Sequence, residues 1–157
     1  MKFVTDRQTL GKIEDWADEL VQRIKVEMHN KGLDASGNLS SSLEYVIENE
    51  DDGTHIKVLA NNYFIYAEGG RTAGKTPYNF VDILKQWIED KGLSVNPKQD
   101  SKFAFLIARK IRQYGSKRYR ENKPADVLSK PMSEMTPRLS ELLENRLVLY
   151  INDELFH

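Results

Sequence analysis

The sequence Gly69-Gly70-Arg71-Thr72-Ala73-Gly74-Lys75-Thr76 satisfies the G-x-x-x-x-G-K-[ST] pattern of a phosphate-binding loop. Taken literally, it predicts nucleotide binding and hydrolysis. That chemistry needs a buried parallel strand entering the loop, a helix N-terminus leaving it at the lysine, and a metal-binding aspartate at the end of another strand. Residues 63–67 read as a lead-in strand, and residues 148–151 followed by Asp153 imitate the second one. Pro77, however, falls where the helix should already be running, and Tyr78-Asn79 reads as a fresh helix start. The recognisable strands are also consecutive and hairpin-linked, whereas parallel strands require crossovers. The segment is therefore read as a structural glycine-rich turn.

A second constellation is basic. Arg109, Lys110, Arg112, Lys117, Arg118 and Arg120 fall within twelve residues that also hold Tyr114 and Tyr119 and no acid. Such cations can neutralise phosphates and tyrosines can stack on bases, so nucleic-acid contact is one reading. The other is a solvated face whose charges meet an acidic neighbour, and it is preferred. His29, His55 and His157 are isolated in sequence and show no metal-ligand spacing. Glu14, Asp15, Asp18 and Glu19 lie off the apolar stripe of their helix and read as a solvated face, not an acid–base pair. Trp16 and Trp87 stand at core-compatible positions. No serine, histidine and acid combine into a nucleophilic set, so no catalytic residue, metal or cofactor is expected.

The 157 residues hold no cysteine, 39% apolar and 30% charged residues, five prolines and nine glycines, the profile of one soluble globular domain spanning 1–157. No apolar run approaches the ~20 residues that cross a bilayer, and the N-terminus turns polar too soon for a signal peptide, so folding in a cytoplasm without membrane contact is expected. The net charge of −1 hides a segregation. Six basic against twelve acidic residues give −6 over 1–53, fifteen against seven give +8 over 54–130, and two against five give −3 over 131–157. An acidic end and a basic middle suit head-to-tail association of identical copies, or contact with a polyanion.

Leu10, Ile13, Trp16, Ala17, Leu20, Val21, Ile24 and Met28 recur at three- and four-residue spacing, which predicts a long helix with Thr5 and Gln8 as its capping box and Gly32 as its stop. Residues 34–42 are rich in Ser, Asn, Asp and Gly and read as a loop. Alternation over 43–48 and 55–60 about the turn 50–53 predicts a hairpin, and residues 63–67 a third antiparallel strand, making a small meander. Asn79 caps an expected helix ending at Gly92, and another starts near Asp100 and ends before Gly115. Residues 116–131 read as an ordered loop, and Thr136-Pro137 as the start of a last helix whose end, 147–151, is equally readable as a strand. The fold class is α+β: a long N-terminal helix, a small antiparallel sheet, and helices packed on it.

Three segments, in this order after the long helix, resemble the tail-completion family of tailed bacteriophages, also described as minor tail or head–tail joining proteins. They are Ser36-Gly37-Asn38-Leu39 with Ser42-Leu43; Tyr66-Ala67-Glu68-Gly69-Gly70-Arg71 with Gly74-Lys75-Thr76-Pro77; and residues 83–93 with Phe103-Ala104-Phe105-Leu106-Ile107-Ala108-Arg109-Lys110-Ile111, which resembles a helical insertion found in part of the family and implies one here over about 78–115. In place of the family's glycine-rich aromatic lead into its C-terminal helix, this chain has Lys130-Pro131-Met132. The resemblance implies a virion subunit that forms a homo-oligomeric ring at the neck or tail top, contacts other neck, portal-adaptor or tail-tube proteins, surrounds the DNA channel, and is assembled in the host cytoplasm. A closed ring of identical copies needs two different complementary faces. Glu14, Asp15, Asp18, Glu19, Glu68, Arg71 and Lys75 are then the candidate subunit-interface residues, and Arg109, Lys110, Arg112, Lys117, Arg118 and Arg120 the candidate channel-facing or partner-facing patch.

Overall fold

The computed structural model describes residues 6–156, so Thr5 and His157 lie outside the described residues. The elements in chain order are α1 (Arg7–Asn30), α2 (Asn38–Ser41), β1 (Glu44–Glu50), β2 (Gly53–Leu59), α3 (Phe64–Gly69), α4 (Phe80–Asp90), α5 (Pro97–Tyr114), α6 (Lys117–Arg120) and α7 (Ser129–Phe156). The protein is α+β, as its sequence patterning predicts, with one two-stranded antiparallel sheet among the described residues. No described helix is long and apolar enough to cross a membrane. The chain divides into two compact units. The first draws on residues 1–27, 43–59 and 127–157; the second on 28–42 and 60–126.

In the first unit, α1 buries Ile13, Trp16, Ala17, Leu20, Val21 and Ile24, the stripe that its three- and four-residue spacing specifies. Its start is capped by Asp6, whose carboxylate accepts from the Thr9 backbone N–H at 3.0 Å and from the Thr9 hydroxyl at 3.1 Å. α7 supplies the opposing surface. Met135 and Pro131 are fully buried, and the Trp16 indole donates to the Met135 carbonyl at 2.9 Å, so a buried donor and a buried acceptor satisfy each other. At the far end Arg146 donates to Asp6 at 3.1 Å.

The hairpin pairs Glu44 with Leu59 through Glu50 with Gly53, closed by the two-residue turn Asp51-Asp52. Lys57 bridges Glu48 and Glu50 on one face of the hairpin. His55 lies 2.8 Å from Asp52, whose hydrogen bond and charge raise the imidazole above its ordinary pKa, while His55 lowers that of Asp52. A raised histidine stabilises the fold fully below its unfolded value of about 6.5, and that contribution disappears as pH climbs through the folded value. His55→Gln is therefore expected to lower the thermal midpoint slightly near pH 5.5. The deficit should vanish in melts recorded at alkaline pH. Asp52 is exposed and His55 only half-buried, so solvent screens the pair and the effect is small.

In the second unit, Phe80, Leu84 and Ile88 of α4 pack on Ala104 and Ala108 of α5, and the small alanines let the helices approach closely. α5 starts at Pro97, three residues before the expected Asp100, because Asn96 caps it by accepting from Gln99 N–H at 3.0 Å. Asp100 is instead buried inside the first turn. It accepts from the Ser94 hydroxyl at 2.5 Å and the Val95 N–H at 3.0 Å, and those bonds hold its pKa below the ordinary carboxylate value.

Three expectations are corrected. Residues 63–67 are not a third strand: α3 occupies Phe64–Gly69, so the sheet is a hairpin and not a meander. Tertiary hydrogen bonds override the β-propensity of Tyr63, Phe64 and Ile65. The carbonyls at the end of α3 are taken by Arg118, which donates to Ala67 O at 2.9 Å, and by Ala125 N–H, which donates to Glu68 O at 2.7 Å. Residues 38–41 and 117–120, expected as loop, form single helical turns. α7 begins at Ser129, not at Thr136-Pro137, and is helical through 147–151. Pro131 sits in its first turn, where a missing N–H costs nothing. Pro137 is exposed, and the inward stripe Pro131, Met135, Leu139, Leu142 and Arg146 runs past it uninterrupted, so burial holds the helix together across the proline.

Candidate functional site

The glycine-rich turn does not have phosphate-loop geometry. The segment before it is α3 and not a strand, Gly69 ends that helix, and α4 starts only at Phe80, five residues beyond Lys75. No helix N-terminus is therefore presented at the lysine. The turn is instead clamped to the α5–α6 junction. Arg71 N–H donates to Ser116 Oγ at 2.9 Å, Ser116 N–H returns a bond to Arg71 O at 2.8 Å, and Gly74 N–H donates to Arg112 O at 2.9 Å. The Arg112 guanidinium donates to Thr76 Oγ1 at 3.0 and 3.2 Å.

Glycine is required where the two segments touch. At Gly70, with φ +80°, a Cβ would stand 2.5 Å from Ser116 Oγ and 2.6 Å from Tyr119 N. At Gly115, also at φ +80°, it would stand 2.7 Å from Tyr119 Cδ1 and 2.9 Å from Arg71 O. Lys75 is exposed and outside this clasp. Lys75→Ala is accordingly expected to leave the thermal midpoint unchanged and to abolish no ATP-binding signal; loss of such a signal would restore the phosphate-loop reading.

Beside the clasp lies an apolar groove of about 250 Å3 lined by Tyr63, Tyr66, Phe80, Ile83, Leu84, Trp87, Ile107 and Ile111, with Arg71 as its charged side chain. The Arg71 guanidinium lies 3.8 Å over the Tyr66 ring and 5.1 Å from that of Phe80, a cation–π contact on two faces.

The expected basic patch separates into two groups. Arg118 and Arg112 are consumed by the second unit itself, on Ala67 O and Thr76 Oγ1, and Lys117 lies 3.9 Å from Glu121. Arg109, Lys110 and Arg120 are exposed and make no ion pair among the described residues. The acidic face of α1 separates in the same way. Glu19 accepts from Arg138 at 2.7 Å and from Arg23 at 2.9 Å, which lowers its pKa, the Arg138 hydrogen bond foremost. Glu14, Asp15 and Asp18 are exposed and unpaired among the described residues. Their charge is felt by Tyr45 of β1, whose pKa rises through burial first and then through Asp18, Glu14 and Asp15. Glu68 contributes its backbone to the clasp through Ala125.

One cluster escapes spacing rules because a turn assembles it: ligand atoms of Glu50, Asp52 and His55 lie within 4.8 Å of one another. Lys57 already sits 3.0 Å from Glu50 and His55 2.8 Å from Asp52, so both carboxylates are met by cations of the hairpin itself.

Comparison of the chain with models of protein families, with characterised proteins and with solved structures returns no match.

Proposed function

We propose that this protein is a structural subunit of a tailed-phage virion, a tail-completion or neck component whose copies associate head to tail into a ring around the DNA channel, and that it is not an enzyme. The observation that carries this reading is the separation of uncompensated charge. The first unit exposes Glu14, Asp15 and Asp18 on α1 without an internal partner among the described residues, and the second exposes Arg109, Lys110 and Arg120 on α5 and α6 in the same state. Two different faces of opposite sign are what a closed heterologous assembly requires, and complementary potentials fix its register. The phage assignment itself rests on the family resemblance of the three sequence segments. Other neck, portal-adaptor or tail-tube proteins would bound the ring above and below.

A nucleic-acid-binding accessory protein is the second reading, favoured by exposed Tyr114 and Tyr119 next to those cations. Titration of double-stranded DNA across salt separates the two. A protein that holds phosphates with these three cations loses affinity about 40-fold between about 50 and 200 mM salt. A channel subunit, past which DNA slides, is expected to show weak binding at every salt concentration. Tight binding with that steep slope, lost on Arg109→Ala/Lys110→Ala/Arg120→Ala, would overturn the assembly reading.

A further inference from the structure

α5 and α7 each leave a stripe uncovered with the same spacing. On α5, Phe103, Leu106, Lys110 and Gln113 recur at intervals of three, four and three; on α7, Glu141, Glu144, Val148 and Ile151 do likewise. All eight side chains are exposed, with Phe103 at 52%, Leu106 at 58%, Val148 at 58% and Ile151 at 43%. Each stripe lies away from its helix's own core, which is Ala104 and Ala108 on α5 and Met135 with half-buried Leu139, Leu142 and Arg146 on α7. Single exposed apolar residues are ordinary, whereas here two helices each expose an apolar pair in line with a charged residue, Lys110 on one and Glu144 on the other.

The stripes are complementary in one direction only. Along α5 the order is apolar then basic to polar; along α7 it is acidic then apolar. Set antiparallel, Phe103 meets Ile151, Leu106 meets Val148, Lys110 meets Glu144 and Gln113 meets Glu141, so apolar faces apolar and cation faces anion. A parallel setting would place Phe103 on Glu141, Leu106 on Glu144 and Lys110 on Val148, burying charge against apolar side chains, which is costly. Neither Lys110 nor Glu144 makes an ion pair among the described residues. We propose that the α5 stripe of one copy packs antiparallel on the α7 stripe of a second copy of this chain. The contact is heterologous, and it rests on the self-assembly reading above, supplying the helix pair through which one copy's second unit holds the next copy's first unit.

The chain contains no cysteine, so single thiols can be placed cleanly. Leu106→Cys chains mixed with Val148→Cys chains, treated with a short bis-maleimide, are expected to give covalent pairs, and so are Phe103→Cys with Ile151→Cys. Neither variant alone should link, because the contact is not isologous. Phe103→Cys with Glu141→Cys should fail: the antiparallel register separates those positions by ten residues, about 15 Å along the helix. As a readout without new thiols, Lys110→Glu should weaken self-association roughly five-fold, and adding Glu144→Lys to the same chain should recover it. Melting curves of each variant verify that it is folded. Absence of the 106–148 link between folded chains, linkage of either single variant to itself, or linkage of 103 to 141 would each overturn the proposal. Covalent pairs that grow into open filaments would retire the ring and leave this contact standing. Rings that form without the link would do the reverse.

Discussion

Gly70→Ala is expected to destabilise the second unit by about 2–6 kcal/mol and to broaden or split its unfolding transition. Two effects combine at this position. Its φ of +80° with ψ of 170° belongs to backbone that side-chain-bearing residues enter only at a cost of roughly 1–3 kcal/mol. The added methyl would also stand 2.6 Å from the backbone nitrogen of Tyr119, which cannot swing aside as a side-chain end can, and such overpacking costs a further ~1–3 kcal/mol. Gly69→Ala is the control. That glycine ends α3 with open space around its Cβ position and without a left-handed φ, so alanine there should be neutral or slightly stabilising. Thermal or denaturant unfolding of the two variants reads the difference directly. Equal midpoints would show that the turn is not clamped as described.

Reversal of the free acids on α1 should weaken self-association at least tenfold without harming the fold. Asp15→Lys/Asp18→Lys changes two exposed side chains that have no partner among the described residues, so the unfolding free energy should stay within about 0.5 kcal/mol of the parent. At an interface with Arg109 and Arg120 the same change sets like charges together, which costs several kcal/mol, and each ~1.4 kcal/mol is a tenfold loss of affinity. Sedimentation analysis is expected to show at least a tenfold weaker self-association. Adding Arg109→Glu/Arg120→Glu to the same chain should restore it. Glu19→Lys is the instructive contrast, because Glu19 anchors Arg23 and Arg138 inside the first unit, and its reversal should lower stability instead.

The parts of this fold legible in the sequence are those governed by local periodicity. α1 declares itself through its apolar stripe, and the hairpin through alternation around Asp51-Asp52, because in both the burial pattern and the local propensity agree. α3 could not be read in this way. Tyr63, Phe64 and Ile65 favour strands, and the helix is held by Asn61, which accepts from the Tyr63 and Phe64 N–H groups, together with hydrogen bonds from Arg118 and Ala125, more than fifty residues away. The start of α7 was hidden for a related reason: Thr136-Pro137 spells a helix start, while the buried side chains of Pro131 and Met135 carry the helix through it.

The candidate surface was half legible. Charge segregation is visible in the sequence, and so are the acids of α1 and the cations of α5 and α6. Which of them are already spent is a tertiary fact. Arg112, Arg118 and Glu19 have partners inside their own unit, which leaves Glu14, Asp15 and Asp18 on α1, and Arg109, Lys110 and Arg120 on α5 and α6, without an ion pair among the described residues. The clasp at Gly70 and Gly115 shows the same limit from the other side. Its spelling matches a phosphate loop, and its meaning depends on what packs against it.

Native mass measurement of the full chain over a wide range of concentration bears most directly on assembly. The expected result is a closed species of one fixed copy number that appears as concentration rises and disappears in Asp15→Lys/Asp18→Lys. Monomers at every concentration, binding DNA with an affinity that falls steeply as salt rises, would contradict it.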